Sequence, residues 1–108
     1  MPGEIEILMQ GDACVLEVEI LYSDSHPVPA EDVKDIEIII GSIRKTYSNA
    51  GTYFEDGVWK IPLSQRETFR FPPSKIKVQA RVALPSGDVQ GIRLGEIRIL
   101  ESQSKEEL

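Results

Sequence analysis

Between Lys75 and Leu84 the chain alternates without a break. Ile76, Val78, Ala80, Val82 and Leu84 fall on one side, and Lys75, Lys77, Gln79, Arg81 and Ala83 on the other. Successive side chains of a β-strand point to opposite faces, so this period of two describes a strand with one buried and one mostly polar face. The pattern recurs along the sequence. Cys14, Leu16, Val18 and Ile20 alternate with Val15, Glu17 and Glu19. Ile36, Ile38 and Ile40 form a third apolar face opposite Glu37, and Trp59, Ile61 and Leu63 a fourth. Ile97 and Ile99 form a fifth, with Glu96 and Arg98 outside. Ile5 and Ile7 suit a short first strand against Glu4 and Glu6. The expected core is Leu16, Val18, Ile36, Ile38, Trp59, Ile61, Leu63, Ile76, Val78 and Val82.

Turn residues separate these runs. They are Gln10-Gly11-Asp12, the Ser23–Ala30 loop with Pro27 and Pro29, Asn49-Ala50-Gly51, Glu55-Asp56-Gly57 and Pro85-Ser86-Gly87-Asp88. Proline in the second keeps it out of helix and central strand. Turns at about 8–12 residue spacing predict an all-β sandwich or small barrel. Two places invite a helical turn. Ser64 and Glu67 have capping-box spacing, with Pro72-Pro73 ending the segment, and Ala30-Glu31-Asp32-Val33 is the other. Residues 1–100 read as one β-domain and residues 101–108 as a flexible acidic tail.

The chain has 108 residues, enough for one core but not for two. Its 18 acidic and 12 basic residues give a net charge of −6, which argues against nucleic acid as a partner. A local basic face is still open, because Lys75, Lys77 and Arg81 alternate on one strand and Arg93 and Arg98 lie on the next. No apolar run approaches the ~20 residues of a membrane span, and the first residues are not those of a secretory signal. No membrane partner is expected, and the chain reads as cytoplasmic when made.

Chemistry-bearing residues are sparse. His26 is the only histidine and Cys14 the only cysteine, too few for a Cys/His zinc site or an internal disulfide. Ser23, Asp24, Ser25 and His26 crowd one loop without a strand-to-helix elbow, an arrangement unsuited to a catalytic triad. Gly41, Gly51 and Gly57 are not followed by Gly-Lys-Ser/Thr, so no phosphate loop is present. The acidic pairs Glu31/Asp32 and Glu55/Asp56 lack calcium-loop spacing. No catalytic residue, metal ligand or cofactor is expected, and the chain reads as non-enzymatic. Tyr22, Tyr47, Tyr53 and Trp59 keep open a second reading, a stand-alone ligand-binding module with carbohydrate as the ligand.

The order of these features resembles a known family. Gln10-Gly11-Asp12 precedes the first clear strand. Further on stands Gly57-Val58-Trp59-Lys60-Ile61-Pro62-Leu63-Ser64-Gln65-Arg66-Glu67-Thr68, and then Lys77-Val78-Gln79-Ala80-Arg81-Val82 before Ser86-Gly87-Asp88-Val89. In this order they are similar to the N-terminal immunoglobulin-like domain of baseplate upper proteins from phages of Gram-positive bacteria and related small prophage proteins. In that family the last motif ends Asp-Gly, where this chain has Gly87-Asp88. The resemblance spans about residues 9–100. It implies an immunoglobulin-like antiparallel sandwich of about seven strands, used as a building block of a virion. It transfers no catalytic residue. The implied partners are proteins, either other virion components or further copies in a homo-oligomer. Val15, Ile39, Val58 and Leu100 lie opposite the assigned core faces, and Tyr47 and Tyr53 flank a turn-rich segment. These six make the candidate contact surface, with burial as a second inner layer the alternative.

Overall fold

The computed structural model describes residues 4–48 and 51–108. Its eight strands are β1 (Glu4–Met9), β2 (Cys14–Val18), β3 (Asp35–Ile40), β4 (Ile43–Thr46), β5 (Tyr53–Glu55), β6 (Val58–Leu63), β7 (Lys75–Ala83) and β8 (Val89–Leu100). They form two sheets, one of five strands in the order β1-β8-β7-β3-β4 and one of three in the order β2-β6-β5. This is a β-sandwich-like arrangement, in which β2, β6 and β5 face a sheet built on β3, β7 and β8. Among the described residues, helix is confined to a 3-10 turn at Ala30–Asp32 and α1 (Gln65–Phe69).

Leu16 and Val18 of β2, Ile36, Ile38 and Ile40 of β3, Trp59, Ile61 and Leu63 of β6, and Ile76, Val78, Ala80 and Val82 of β7 close the core between the sheets. Each strand contributes alternate residues, and the expected core is buried throughout. Phe71 joins it from the segment after α1. The Trp59 indole donates to the Val28 carbonyl at 3.0 Å, which anchors the Ser23–Ala30 loop on the core.

Two expectations need correction. The sheets are not antiparallel throughout, because β1 pairs parallel with β8 and so sits in the larger sheet. The face of β1 is also reversed. Leu8 is buried and Ile7 is 55% exposed, so the inward residue is not the expected Ile7. Both Ile7 and Leu8 are apolar, so the local pattern does not choose, and the register on β8, with its irregularity between Glu4 and Glu6, decides. In β8 a bulge opposite Val78/Gln79 pairs Gln79 with Arg93 and Val78 with Gly95. It turns Ile92 and Ile97 to the same inner side although they stand five positions apart, an odd step.

α1 begins as the sequence predicts. Ser64 accepts from the Glu67 backbone N–H, and the Glu67 carboxylate accepts from the Ser64 backbone N–H. Partial burial pushes the Glu67 carboxyl up, but Lys45 at 2.6 Å and the Ser64 bonds outweigh it and hold it below its ordinary range. Thr68 ties this helix to the β1–β2 turn. Its hydroxyl accepts from Gly11 N–H at 2.9 Å and donates to the Asp12 carbonyl at 2.8 Å. Gly11 has φ +89°, and a Cβ there would stand 2.6 Å from the Phe69 ring. Gly11→Ala should therefore lower stability by about 1–3 kcal/mol, from left-handed backbone and the displaced ring together. Thermal melts of the two proteins check this, and equal midpoints would show that the ring moves aside at no cost.

The turn at Asn49-Ala50-Gly51 falls largely outside the described residues. Residues 101–108 form no regular element. They lie beside α1, where Gln10 Oε1 accepts from Lys105 Nζ at 2.8 Å and Gln65 Oε1 accepts from Leu108 N–H at 3.0 Å.

Candidate functional site

The outer face of the five-stranded sheet gathers half of the chain's cations. The strict alternation of β7 puts Lys75, Lys77 and Arg81 on this side, and the register with β8 sets Arg98 beside Lys75 and Arg93 beside Gln79. β4 adds Arg44, opposite Ile39 of β3. Among the described side chains, six of the 12 Lys and Arg residues therefore share one face with three carboxylates, Asp35, Glu37 and Glu96. Subtracting the three from the six leaves +3 among these side chains, on a chain whose net charge is −6.

Glu37 organises the centre of the face. It points outward from β3, opposite Arg81 of β7, yet it is only 8% exposed because two guanidinium groups cover it. Arg81 Nε donates to Oε1 at 2.7 Å, and Arg44 Nε donates to Oε2. The Arg81 bond first, then the Arg44 bond, outweigh burial and pull the Glu37 carboxyl down to about 2. Arg81 is in turn held more firmly protonated by its bond to Glu37. Beside this clamp a shallow hollow of about 200 Å³ opens between Asp35, Glu37, Arg44, Arg81, Ala83 and Val89. Asp35 is committed to the segment that follows β4, accepting from Ser48 N–H at 3.1 Å and from the Ser48 hydroxyl at 2.8 Å. Lys77 and Arg93 make no ion pair among the described residues.

The sign of the pH dependence follows from a lowered carboxyl. Glu37 contributes its full stabilisation above the ordinary carboxylate value of 4.5, and loses it as pH falls towards about 2. Glu37→Gln should cost about 1 kcal/mol at neutral pH, because both arginines remain largely in water. Melting midpoints of the variant should also fall less steeply below about pH 4.5 than those of the native chain. Parallel curves would mean that other carboxylates carry the acid sensitivity.

An apolar strip borders the basic face along β1. Met9, 44% exposed, stands opposite Leu100, 43% exposed, and Ile7 stands opposite Arg98. Of the candidate contact residues, only Leu100 joins this strip. Ile39 is half-buried on the same outer face, between Gln79 and Arg44. Val15, Val58 and Tyr53 lie on the opposite side of the sandwich, on the outer face of β2-β6-β5, where Val15 faces Pro62 and Tyr53 faces Lys60. Tyr47 follows β4 and meets Trp59 edge-on, ring centroids 5.2 Å apart. The six residues thus divide between two faces and do not form one patch. Ile7 and Met9 were missed because the reversed parity of β1 hides them in the sequence.

Other chemistry-bearing groups are peripheral. His26 Nδ1 lies 2.9 Å from Asp24, both exposed, and neither Ser23 nor Ser25 bonds to the imidazole through its hydroxyl. Cys14 is half-buried at the start of β2. No group of three or more metal-ligating side chains occurs among the described residues. Among them, no helix is long and apolar enough to cross a membrane. Trp59 is fully buried, so it presents no ring to a sugar. Comparison with protein-family models, curated proteins and solved structures finds no match to this chain.

Proposed function

We propose that this chain is a non-enzymatic structural module of a bacteriophage or prophage particle, working through protein–protein contacts on the outer face of its five-stranded sheet. The observation that carries the reading is the division of charge. A folded chain of net charge −6 concentrates six cations on one flat sheet face, with an apolar strip of Ile7, Met9 and Leu100 along its border. A basic rim beside apolar side chains suits a protein surface of opposite charge. The chain's own remaining surface is such a partner, so the basic face of one copy fits the acidic side of the next. A heterologous contact of this kind closes into rings or stacks. The assignment to a particle rests on the motif order around Gln10-Gly11-Asp12, Leu63-Ser64-Gln65 and Val78–Val82, which is similar to baseplate upper proteins.

Light scattering tests the reading. At low ionic strength the apparent mass should climb above the 12.1 kDa of one chain as concentration rises. Salt at about 0.5 M should return it to the monomer value, because screening at that strength shortens the reach of exposed charges to a few ångströms. A monomer at every concentration would reject self-assembly as the role of this face.

A further inference from the structure

We infer that the sandwich has a second docking place, a seam beside the first half of β8 that takes an extended partner segment alternating apolar and acidic residues. The inference rests on the reading of the chain as a protein-binding module, but it uses the open edge of β8 rather than the face itself, the two meeting at Arg93.

The seam follows from the placement of β1. Because β1 pairs only with Glu96–Leu100, the stretch Val89–Leu94 has β7 on one side and no strand on the other among the described residues. Across from it β2 is also an edge strand, since β1 does not lie beside it. Between the open edge of β8 and the segment that follows β2 opens a cleft of about 370 Å³, walled by Ile20, Leu21, Val28, Val82, Leu84 and Ile92. A cleft beside an open sheet edge leaves room for one more strand.

The backbone of β8 is oriented to bind it. The hairpin closes with Leu84 N–H donating to the Asp88 carbonyl at 2.8 Å, which makes Leu84–Asp88 a bonded pair. Bonded and non-bonded pairs alternate along an antiparallel ladder. Val82–Gln90 and Ala80–Ile92 are therefore bonded, whereas Val89, Gly91 and Arg93 direct their N–H and C=O groups away from β7. These groups form a hydrogen-bonding row on the open edge, the arrangement that strand addition uses.

The side chains set the chemistry of the occupant. Gln90 and Ile92 turn into the cleft, so alternate residues of an added strand would enter it and must be apolar. The intervening residues would lie beside Gly91, Arg93 and Arg81, the last paired with Gly91 across β7. Arg93 makes no ion pair among the described residues, so a carboxylate is favoured there. Gly91 agrees with a close approach from outside. A Cβ at this position would meet nothing within 4 Å, so packing within the chain does not require glycine there. Glycine inside a strand often marks a place where another backbone comes near.

The test is an NMR titration of the full ¹⁵N-labelled chain with the synthetic peptide acetyl-(Val-Glu)4-amide. Saturable shifts should be confined to Val89–Leu94 and Ile20–Ser23. The lysine counterpart, acetyl-(Val-Lys)4-amide, should bind roughly tenfold more weakly, and Arg93→Glu should reverse that preference. Gly91→Pro removes an edge N–H without breaking a bond to β7, so it should abolish the shifts while the chain still melts cooperatively. Should Gly91→Pro not fold, the Arg93→Glu reversal decides alone, since that side chain is exposed. No shift at about 1 mM peptide, weaker than any useful contact, would overturn the inference, as would equal binding of the two peptides. Shifts on Arg44, Lys75, Lys77 and Arg98 with none along Val89–Leu94 would also overturn it, while leaving the protein-contact reading of the face intact.

Discussion

Val78→Asp should leave the chain without a cooperative melting transition at room temperature. Val78 is fully buried at the middle of β7, where it pairs with Ile40 of β3 on one side and Gly95 of β8 on the other. A carboxylate placed there has no cation within the core, so it must either remain charged without solvent or take up a proton and still lack a partner. Either outcome costs several kcal/mol. A domain of this size has only about 5–15 kcal/mol in total, and the central strand of the larger sheet gives no route for local relief. The neighbouring Lys77→Asp is the control, because its side chain lies on the wet face. It faces Glu96 across the ladder, so like charges would meet and cost up to about 1 kcal/mol, but folding should persist. Circular dichroism melts of both variants check the pair of statements. A stable, cooperative Val78→Asp protein would mean that β7 presents its other face to the core.

Trp59→Ala should be the most damaging truncation, at about 3–5 kcal/mol. The indole is fully buried on β6 and packs against Tyr47 edge-on and against Phe54 at 5.4 Å between ring centroids. Removing it leaves a large cavity between the sheets. It also removes the donor to the Val28 carbonyl, which holds the Ser23–Ala30 loop. Trp59→Phe fills most of the space but leaves that carbonyl without its partner, so it should lose less, about 1–3 kcal/mol. Urea unfolding of the three proteins measures both steps. Equal losses for Ala and Phe would assign the effect to the hydrogen bond alone.

The faces of β2, β3, β6 and β7 were legible in the sequence for a common reason. Each has one dry and one wet side, so apolar and polar residues alternate and only one register buries the apolar set. α1 was legible because its capping box is local, with Ser64 and Glu67 three residues apart. β1 was not, since Ile7 and Leu8 are both apolar and the choice depends on β8, about ninety residues further on. β8 was read only from Ile97 onward, because its bulge breaks the alternation. The basic face was half legible. Lys75, Lys77 and Arg81 announce themselves by period, and Arg93 and Arg98 follow on the next strand. Arg44 and the Glu37 clamp needed the β3–β4 and β3–β7 pairings, which no local pattern specifies. The candidate contact residues failed to converge for a related reason. Alternation says that Val15 and Ile39 point outward, but it does not say that they point outward from opposite sheets.

We propose above that the chain acts through its basic outer face. The most direct measurement is sedimentation of the Lys77→Gln/Arg93→Glu double variant beside the native chain, over the same concentrations at low salt. The substitutions together lower the charge of the face by three and touch no described ion pair. Both proteins should melt within a few degrees of each other, since exposed substitutions stay within about 0.5 kcal/mol. The native chain should associate, and the double variant should sediment as a 12.1 kDa monomer throughout. Association of equal strength in the two proteins would contradict the claim and move the contact to another surface.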